Sequence, residues 1–94
     1  MNYRTLGRTG LQVGEIGLGC EAFVNLSMAA AADLLDLAID AGVNYFDLFS
    51  PEPHVRGAFG QAMQGRREKF ILQAHICSAW IDGQYKRTRN MDQV

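Results

Sequence analysis

Helical patterns alternate with short apolar runs along the centre of this chain, and this alternation restricts the fold more than any other feature. The segment MAAAADLLDLAIDAG consists of strong helix formers, with Ser27 in front as an N-cap and Gly42 as a stop. Its spacings of three and four predict one apolar stripe, formed by Ala31, Leu34, Leu35, Ala38 and Ala41. The runs IGLG before it, VNYFD directly after it and FILQAHI further along are typical of strands. A second helix is predicted from about Val55 to Gln64. Strands separated by helices form parallel sheets with right-handed crossovers, so the sequence predicts an α/β fold.

Two hairpins are predicted outside this alternating part. Residues 1–15 contain the strand-like pieces YRTL and LQVGEI around the turn GRTG. Near the other end, the DG dipeptide at positions 82 and 83 predicts a type I′ turn, with Trp80 and Tyr85 on the flanking strands. These two rings either stabilise the hairpin as a cross-strand pair or form a lid over a pocket. Asn90 is then a candidate N-cap for a helix that begins MDQV.

The composition excludes several classes of function. The 94 residues are 48% hydrophobic and 20% charged, with a net charge of −1, so no overall field attracts nucleic acid or an anionic membrane surface. No apolar run reaches the roughly 18 residues of a membrane span, and the N-terminal segment lacks the apolar region of a secretory signal. Cys20 and Cys77 form neither a CxxC pair nor a disulfide framework. We therefore expect a cytoplasmic protein.

The carboxyl ends of the predicted strands carry the candidate site residues. Ligands of parallel sheets gather beyond these ends, which fall here at Gly19–Cys20, Asp47 and His75. Asp47 is equally explained as a strand-end residue that satisfies turn amides. His54, at the start of the second helix, is expected to be solvated.

Two other ligand sites match parts of the sequence. GLGCEA, from Gly17 to Ala22, fits the GxGxxA dinucleotide fingerprint, with Asp47 where a ribose-binding acid would stand. That motif needs a helix to open inside the glycine turn, whereas the helix signal begins only at Ser27. A metal cluster is a further alternative, although its spacing fits no zinc motif. Its ligands would be Cys20, His54, His75 and Cys77.

Three segments together resemble the N-terminal part of an aldo-keto reductase: MNYRTLGRTGLQVGEIGLGC, AIDAGVNYFD and GAFGQAMQGRREKFIL. The resemblance covers essentially the whole chain. It implies the N-terminal part of a (β/α)₈ TIM barrel whose bottom is closed by the N-terminal hairpin. It also implies NADP(H) as cofactor, hydride transfer to a small-molecule carbonyl substrate, and cofactor contacts at Gly19, Cys20 and Asp47.

The resemblance implies catalytic residues too, and there the sequence departs from the family. The family's aspartate is present as Asp47, but Glu52 stands in the place of its tyrosine and His75 in the place of its lysine. The family's histidine falls beyond Val94. In the family the tyrosine hydroxyl donates a proton to the carbonyl oxygen as the hydride arrives. Because histidine carries a proton near neutral pH, a His75–Asp47 pair is predicted as substitute acid, with Glu52 as a second candidate. The alternative is a site that has lost reductase activity.

The variant stretches FDLFSPEPHVR and QAHICSAWIDGQYKRTRN are similar to a branch of the family that carries an iron–sulfur domain behind the barrel. That cluster would lie outside these 94 residues.

A complete barrel needs about 250 residues. We therefore expect residues 1–94 to form one incomplete segment, with 1–15 as the bottom hairpin and 16–94 as the first βα units. An open sheet edge invites association. The segment is predicted to be inactive alone and to self-associate through this edge. A non-catalytic α/β interaction module is the alternative reading of the same features.

Overall fold

A computed structural model describes residues 1–93 of the chain. The strands are β1 (Tyr3–Thr5), β2 (Gln12–Gly14), β3 (Leu18–Gly19), β4 (Tyr45–Leu48), β5 (Ile71–Ala74), β6 (Ser78–Ile81) and β7 (Gln84–Arg87). The helices are α1 (Met28–Asp40) and α2 (Pro53–Ala62), with short 3₁₀ helices at Glu21–Asn25 and Arg67–Lys69. Strands and helices alternate from β3 to β5, which confirms the predicted α/β class.

The central sheet has three parallel strands in the order β3-β4-β5. Gly19 pairs with Asp47, and Phe46 pairs with Leu72. The prediction of a buried strand at IGLG is wrong. β3 has only two residues, and Ile16, just before it, is 64% exposed. The reason is that β3 is an edge strand: within residues 1–93 it pairs on one side only, with β4.

The N-terminal hairpin is confirmed and is fastened to the segment that leads into β4. β1 and β2 pair antiparallel. The hydroxyl of Tyr3 donates to the carbonyl oxygen of Gly42 at 2.7 Å. The side chain of Asn44 accepts from the amide of Gly14 and donates to the carbonyl of Gln12, both at 2.8 Å. These bonds hold the hairpin at the amino ends of the parallel strands, opposite the edge where ligands are expected.

The second hairpin, β6–β7, is also confirmed. Trp80 pairs with Tyr85, and the turn residues Asp82 and Gly83 both have positive φ, 53° and 73°, as a type I′ turn requires. The prediction of a helix after Asn90 is wrong for the residues up to 93. The Asn90 side chain accepts from the amide of residue 92, which forms a local Asx turn. Val94, the last residue of that predicted helix, lies outside the described residues.

Local sequence signals explain where both helices begin and where α1 ends. The hydroxyl of Ser27 accepts from the amide of Ala30 at 3.1 Å, and Gly42 follows α1 with a φ of +91°. These are the predicted cap and stop. α2 begins at Pro53, slightly earlier than predicted, because Glu52 caps it and proline suits a first helical turn.

The core lies between the two helices and the sheet. Three phenylalanines, from β4, from α2 and from the position just before β5, meet edge to face, with ring centroids 5.5 to 6.1 Å apart. They are Phe46, Phe59 and Phe70. Ala31 and Leu35 of α1 are fully buried as predicted, but Leu34, predicted on the same stripe, is 44% exposed.

Part of the apolar surface has no partner within residues 1–93. Leu37 of α1 is 67% exposed, and Ile76 after β5 is 80% exposed. The radius of gyration is 14.2 Å, whereas a compact domain of this length has about 12 Å. The described residues therefore form a piece of a barrel with open faces. None of their helices has the length and apolar character that crossing a membrane requires.

Candidate functional site

The carboxyl ends of β4 and β5 bring Asp47 and His75 into contact. Asp47 pairs with Gln73, and His75 lies two residues beyond Gln73, so all three side chains stand on the same face of the sheet. Nε2 of His75 lies 2.7 Å from Oδ1 of Asp47. The two side chains remain 34% and 32% exposed, so the pair is accessible from solvent.

The ring of His75 is held from two sides. A carboxylate only accepts hydrogen bonds, so Nε2 donates to Asp47. Oε1 of Gln73 accepts from the hydroxyl of Tyr45, so its amide nitrogen, 3.3 Å from Nε2, is a second donor there and adds no hydrogen bond to the ring. The ring of Phe49 packs edge-on against the imidazole, with centroids 5.1 Å apart. Among the described residues Nδ1 has no hydrogen-bond partner, so it is the nitrogen left for a ligand.

Glu52 lies at the same rim of the sheet but is occupied elsewhere. Its carboxylate accepts from the backbone amides of His54 and Val55, at 3.2 and 3.1 Å. This is the N-cap of α2, which satisfies amides that the helix itself leaves unpaired. Within residues 1–93 no hydrogen bond joins Glu52 to Asp47 or His75. The structure thus brings together two of the three predicted catalytic residues and gives the third a structural task.

Gly19 and Cys20, the predicted cofactor contacts at the end of β3, differ in their exposure to solvent. Gly19 is exposed, and a Cβ there would lie 2.9 Å from Oε2 of Glu21. Cys20 is fully buried, and its amide donates to the carbonyl oxygen of Asp47 at 3.0 Å. Burial, together with the charges of Glu21 and Asp47, raises the pKa of the Cys20 thiol to about 11. The prediction that Cys20 contacts a cofactor therefore receives no support from its side chain, which belongs to the core.

The dinucleotide fingerprint is not formed. Its second glycine is part of β3, and neither Gly17 nor Gly19 has the positive φ of a tight glycine turn. Gly19 ends the edge strand β3, and Gly17 directly precedes that strand. The GxGxxA interpretation is therefore wrong.

The alternative metal cluster is not assembled either. No group of three or more histidine, cysteine or acidic side chains in residues 1–93 is arranged to hold a metal ion. The expectation that His54 is solvated is wrong, since its side chain is half-buried with Nε2 2.8 Å from the carbonyl oxygen of Leu26. That contact exists because the capped start of α2 packs against the 3₁₀ helix that precedes α1.

The aromatic side chains beside the Asp47–His75 pair form a wall that was only partly predicted. Tyr85 and Phe49 line the same open cleft as His75, about 350 Å³ in volume. The rings of Phe49 and Tyr85 lie 6.0 Å apart. The sequence suggested Trp80 and Tyr85 as a lid, but Phe49 was missed. Phe49 could have been identified from its position two residues after Asp47, where the chain continues from β4 towards the rim.

Solved structures identify the fold to which this segment belongs. A crystal structure of a putative aldo-keto reductase from Pseudomonas aeruginosa superposes with a TM-score of 0.76 and 32% identity, over 92% of this chain and 35% of that one. A second structure of the putative aldo-keto reductase from that organism gives the same TM-score and identity, over 34% of its length. The chain belongs, as a segment, to the aldo-keto reductase family. The family resemblance and the partial TIM-barrel fold predicted from sequence are thereby confirmed.

Two curated proteins are similar to this chain at the level of sequence. The uncharacterized oxidoreductase YqkF of Bacillus subtilis (strain 168) is 36% identical over 87 residues, which is 88% of this chain and 28% of that protein. A probable voltage-gated potassium channel subunit beta of Oryza sativa subsp. japonica is 35% identical over 85 residues, 81% of this chain and 25% of that protein. No protein-family model matches the chain. The chain thus spans between a quarter and about a third of the proteins it matches.

NADP(H), which aldo-keto reductases use, fits the described rim in part. The charged side chains near the site have both signs: Glu21, Asp47 and Glu52 are acidic, whereas Arg87 lines the open cleft with His75. The apolar rings beside His75 suit a flat, uncharged group such as the reduced nicotinamide. The described residues therefore suit the nicotinamide end of the cofactor, and Arg87 is a positive charge in the same cleft that suits a phosphate.

An iron–sulfur cluster does not fit the described residues. Such clusters are held by four thiolates, or by two thiolates and two histidines on one type. The sequence has two cysteines, of which Cys20 is buried with a raised pKa. The predicted iron–sulfur branch concerns a domain outside this chain and stays a prediction.

Proposed function

We propose that this chain supplies the proton donor of an NADP(H)-linked carbonyl reductase, with His75 as the acid and Asp47 as its positioning partner. The observation that carries the proposal is the 2.7 Å contact between Nε2 of His75 and Oδ1 of Asp47 at the carboxyl edge of the sheet. Histidine titrates nearest to neutral pH of the common acids, so it suits proton transfer there.

In this proposal each nitrogen of His75 has one task. NADPH, when bound, would supply the hydride for the carbonyl carbon. The imidazolium donates its Nδ1 proton to the carbonyl oxygen, while Nε2–H stays on Asp47 and keeps the ring oriented. The neutral ring then takes a proton from water at the open side of the cleft. One hydride and one proton convert the carbonyl compound into an alcohol.

The 94 residues alone are proposed to be inactive. They span 28% of the Bacillus subtilis oxidoreductase, and they leave apolar side chains such as Leu37 exposed. A closed barrel would cover these faces and complete the cofactor site. Both cysteines are free, which supports the proposed location in the reducing cytoplasm.

The test measures NADPH oxidation with a panel of small carbonyl compounds. It uses the protein that carries this sequence at its native length, beside the 94-residue chain. The sequence has two histidines, so His54→Ala is the matched control for His75→Ala. We expect His75→Ala to lower the rate by about 100-fold or more, as for loss of a general acid. His54→Ala should change it far less. An unchanged rate in His75→Ala, or turnover by the 94-residue chain, would contradict the proposal.

A second candidate function is a non-catalytic module that pairs through its open edges. The observation in its favour is that β3 and β5 each pair on one side only within residues 1–93, and that α1 exposes Leu37. Light scattering on a size-exclusion column, with and without NADPH, distinguishes the two functions. The module is supported if the protein assembles with rising concentration and does not bind NADPH. In that case Leu37→Glu should weaken the assembly, whereas Gln64→Glu should not. A monomer that binds NADPH excludes it.

A further inference from the structure

Arg87 places a positive charge in the open cleft that contains His75. It lines this cleft, here called the His75 cleft, together with Ser78, Tyr85 and Phe49. The ion pairs within residues 1–93 are formed by other side chains, so no carboxylate of the described residues neutralises Arg87. The proton transfer proposed above does not use this guanidinium.

The pairing of β6 with β7 fixes the side on which Arg87 stands. Arg87 is directly opposite Ser78 in the antiparallel ladder, so the two side chains share one face of the hairpin. The amide of Thr88 donates to the carbonyl oxygen of Cys77 at 3.1 Å, which extends the pairing by one position. The backbone therefore holds the guanidinium and the hydroxyl next to each other in the His75 cleft.

Lys86, the neighbouring cation, stands on the opposite face, because successive side chains of a strand alternate. Its ammonium lies 3.7 Å from a carboxylate oxygen of Asp82. Position 86 thus forms an ion pair on the hairpin itself, whereas position 87 directs its charge to the cleft.

A guanidinium beside a hydroxyl is a donor set for an oxyanion. Arginine binds a carboxylate or a phosphate through two parallel hydrogen bonds. The hydroxyl of Ser78, which makes no hydrogen bond within residues 1–93, supplies a further donor. Arg89 lines the adjoining hollow together with Arg87 and adds positive charge. The carboxylates of Glu21 and Glu52 line a separate hollow.

An oxyanion in this cleft comes either from the substrate or from a phosphate of NADPH. In NADPH a ribose separates the nicotinamide ring from the nearest phosphate. A carboxylate, in contrast, can be only a few bonds from the carbonyl group of a small substrate. A substrate whose carbonyl oxygen contacts His75 can therefore place its carboxylate at Arg87 in the same cleft.

We propose that Arg87 and Ser78 form an oxyanion subsite that holds the carboxylate of an oxo acid substrate. Arg87 is then a specificity-determining residue, and the preferred substrates carry a carboxylate near the carbonyl group. That this carbonyl group is reduced rests on the proposed function; binding of the carboxylate needs no reduction.

The binding experiment uses the protein at its native length, labelled with ¹⁵N-arginine, and follows the Nε–H resonance of Arg87 by NMR at constant ionic strength. The resonance is assigned by its loss in Arg87→Lys. 4-Oxopentanoate is the probe, and its methyl ester is the matched uncharged control. We expect a saturable shift with 4-oxopentanoate and an affinity at least about tenfold lower for the ester, as for loss of a charge-assisted hydrogen bond. The resonance of Arg8, which is exposed on the N-terminal hairpin, should not move.

Adding NADPH first distinguishes the two sources of the oxyanion. The response of Arg87 to 4-oxopentanoate should persist at saturating NADPH. If NADPH itself shifts Arg87 and abolishes that response, the occupant is a cofactor phosphate and the substrate assignment is wrong. An Arg87 resonance that moves no more than that of Arg8, or moves equally with the ester, would also overturn the subsite.

Kinetics give an independent readout. Arg87→Ala should raise KM for 4-oxopentanoate by about tenfold or more and leave kcat/KM for the methyl ester nearly unchanged. Lys86→Ala, on the opposite face, should change neither value. If 4-oxopentanoate shifts Arg87 but no carbonyl compound is reduced, the subsite stands and the reductase proposal fails. If carbonyl compounds are reduced while Arg87 neither responds nor affects KM, the subsite alone fails.

Discussion

Nε2 of His75 lies 2.7 Å from Oδ1 of Asp47, although the two residues are 28 positions apart in the sequence. The contact exists because β4 and β5 are adjacent and parallel, so their carboxyl ends meet at one rim. It places an imidazole beside a carboxylate at the carboxyl edge of the sheet, and the proposed proton transfer rests on this pair. Three further features of the same rim lead to separate predictions.

Replacing Glu52 tests whether this residue is a cap or an acid. Glu52→Ala should lower the free energy of unfolding by about 0.5–2 kcal/mol, because two amides of α2 lose their acceptor. Glu52→Asn should lower it much less, since asparagine also caps helices. Urea denaturation of the native-length protein measures both values. If Glu52→Asn retains stability but abolishes carbonyl reduction, Glu52 is the proton donor and the cap interpretation is insufficient.

Cys20 should make stability fall at alkaline pH. Burial, aided by the charges of Glu21 and Asp47, raises the pKa of its thiol from 9.0 to about 11, so the folded state favours the protonated thiol. This contribution is fully present below about pH 9 and is lost as the pH rises through about 11. Urea midpoints of wild type and Cys20→Ala, compared across this range, should converge at high pH, with Cys77→Ala as control. Parallel curves for wild type and Cys20→Ala would contradict the prediction.

Gly83 should control the position of the aromatic wall. Its φ of +73° is unfavourable for residues with a Cβ, so Gly83→Ala should cost about 1 kcal/mol and loosen the β6–β7 turn. Gly83→Asn should be tolerated, because asparagine adopts this conformation more readily. NMR contacts between the backbones of Trp80 and Tyr85 report the pairing. Full retention of those contacts and of stability in Gly83→Ala would refute the prediction.

Local signals made much of the fold predictable from sequence. Ser27, Gly42 and the DG turn each act within a few residues, and the structure places all of them as expected. The strand order also predicted that Asp47 and His75 would share a rim, because parallel strands align their ends.

Long-range contacts account for what the sequence did not predict. The bond between His54 and the carbonyl of Leu26 spans 28 positions and depends on how α2 packs. Periodicity placed Leu34 on an apolar stripe but could not show what covers it, and it is 44% exposed. Comparison with the family placed Glu52 at a catalytic position, whereas the backbone amides beside it make it a cap.

The most direct test of the central claim is a double-mutant cycle of Asp47→Ala and His75→Ala, measured as kcat/KM for carbonyl reduction by the native-length protein. Circular dichroism checks that each variant remains folded. Because Asp47 acts through His75, His75→Ala should lower kcat/KM by about 100-fold or more, and the double variant should lose little beyond that. Fully additive losses, or activity in His75→Ala equal to wild type, would contradict the account.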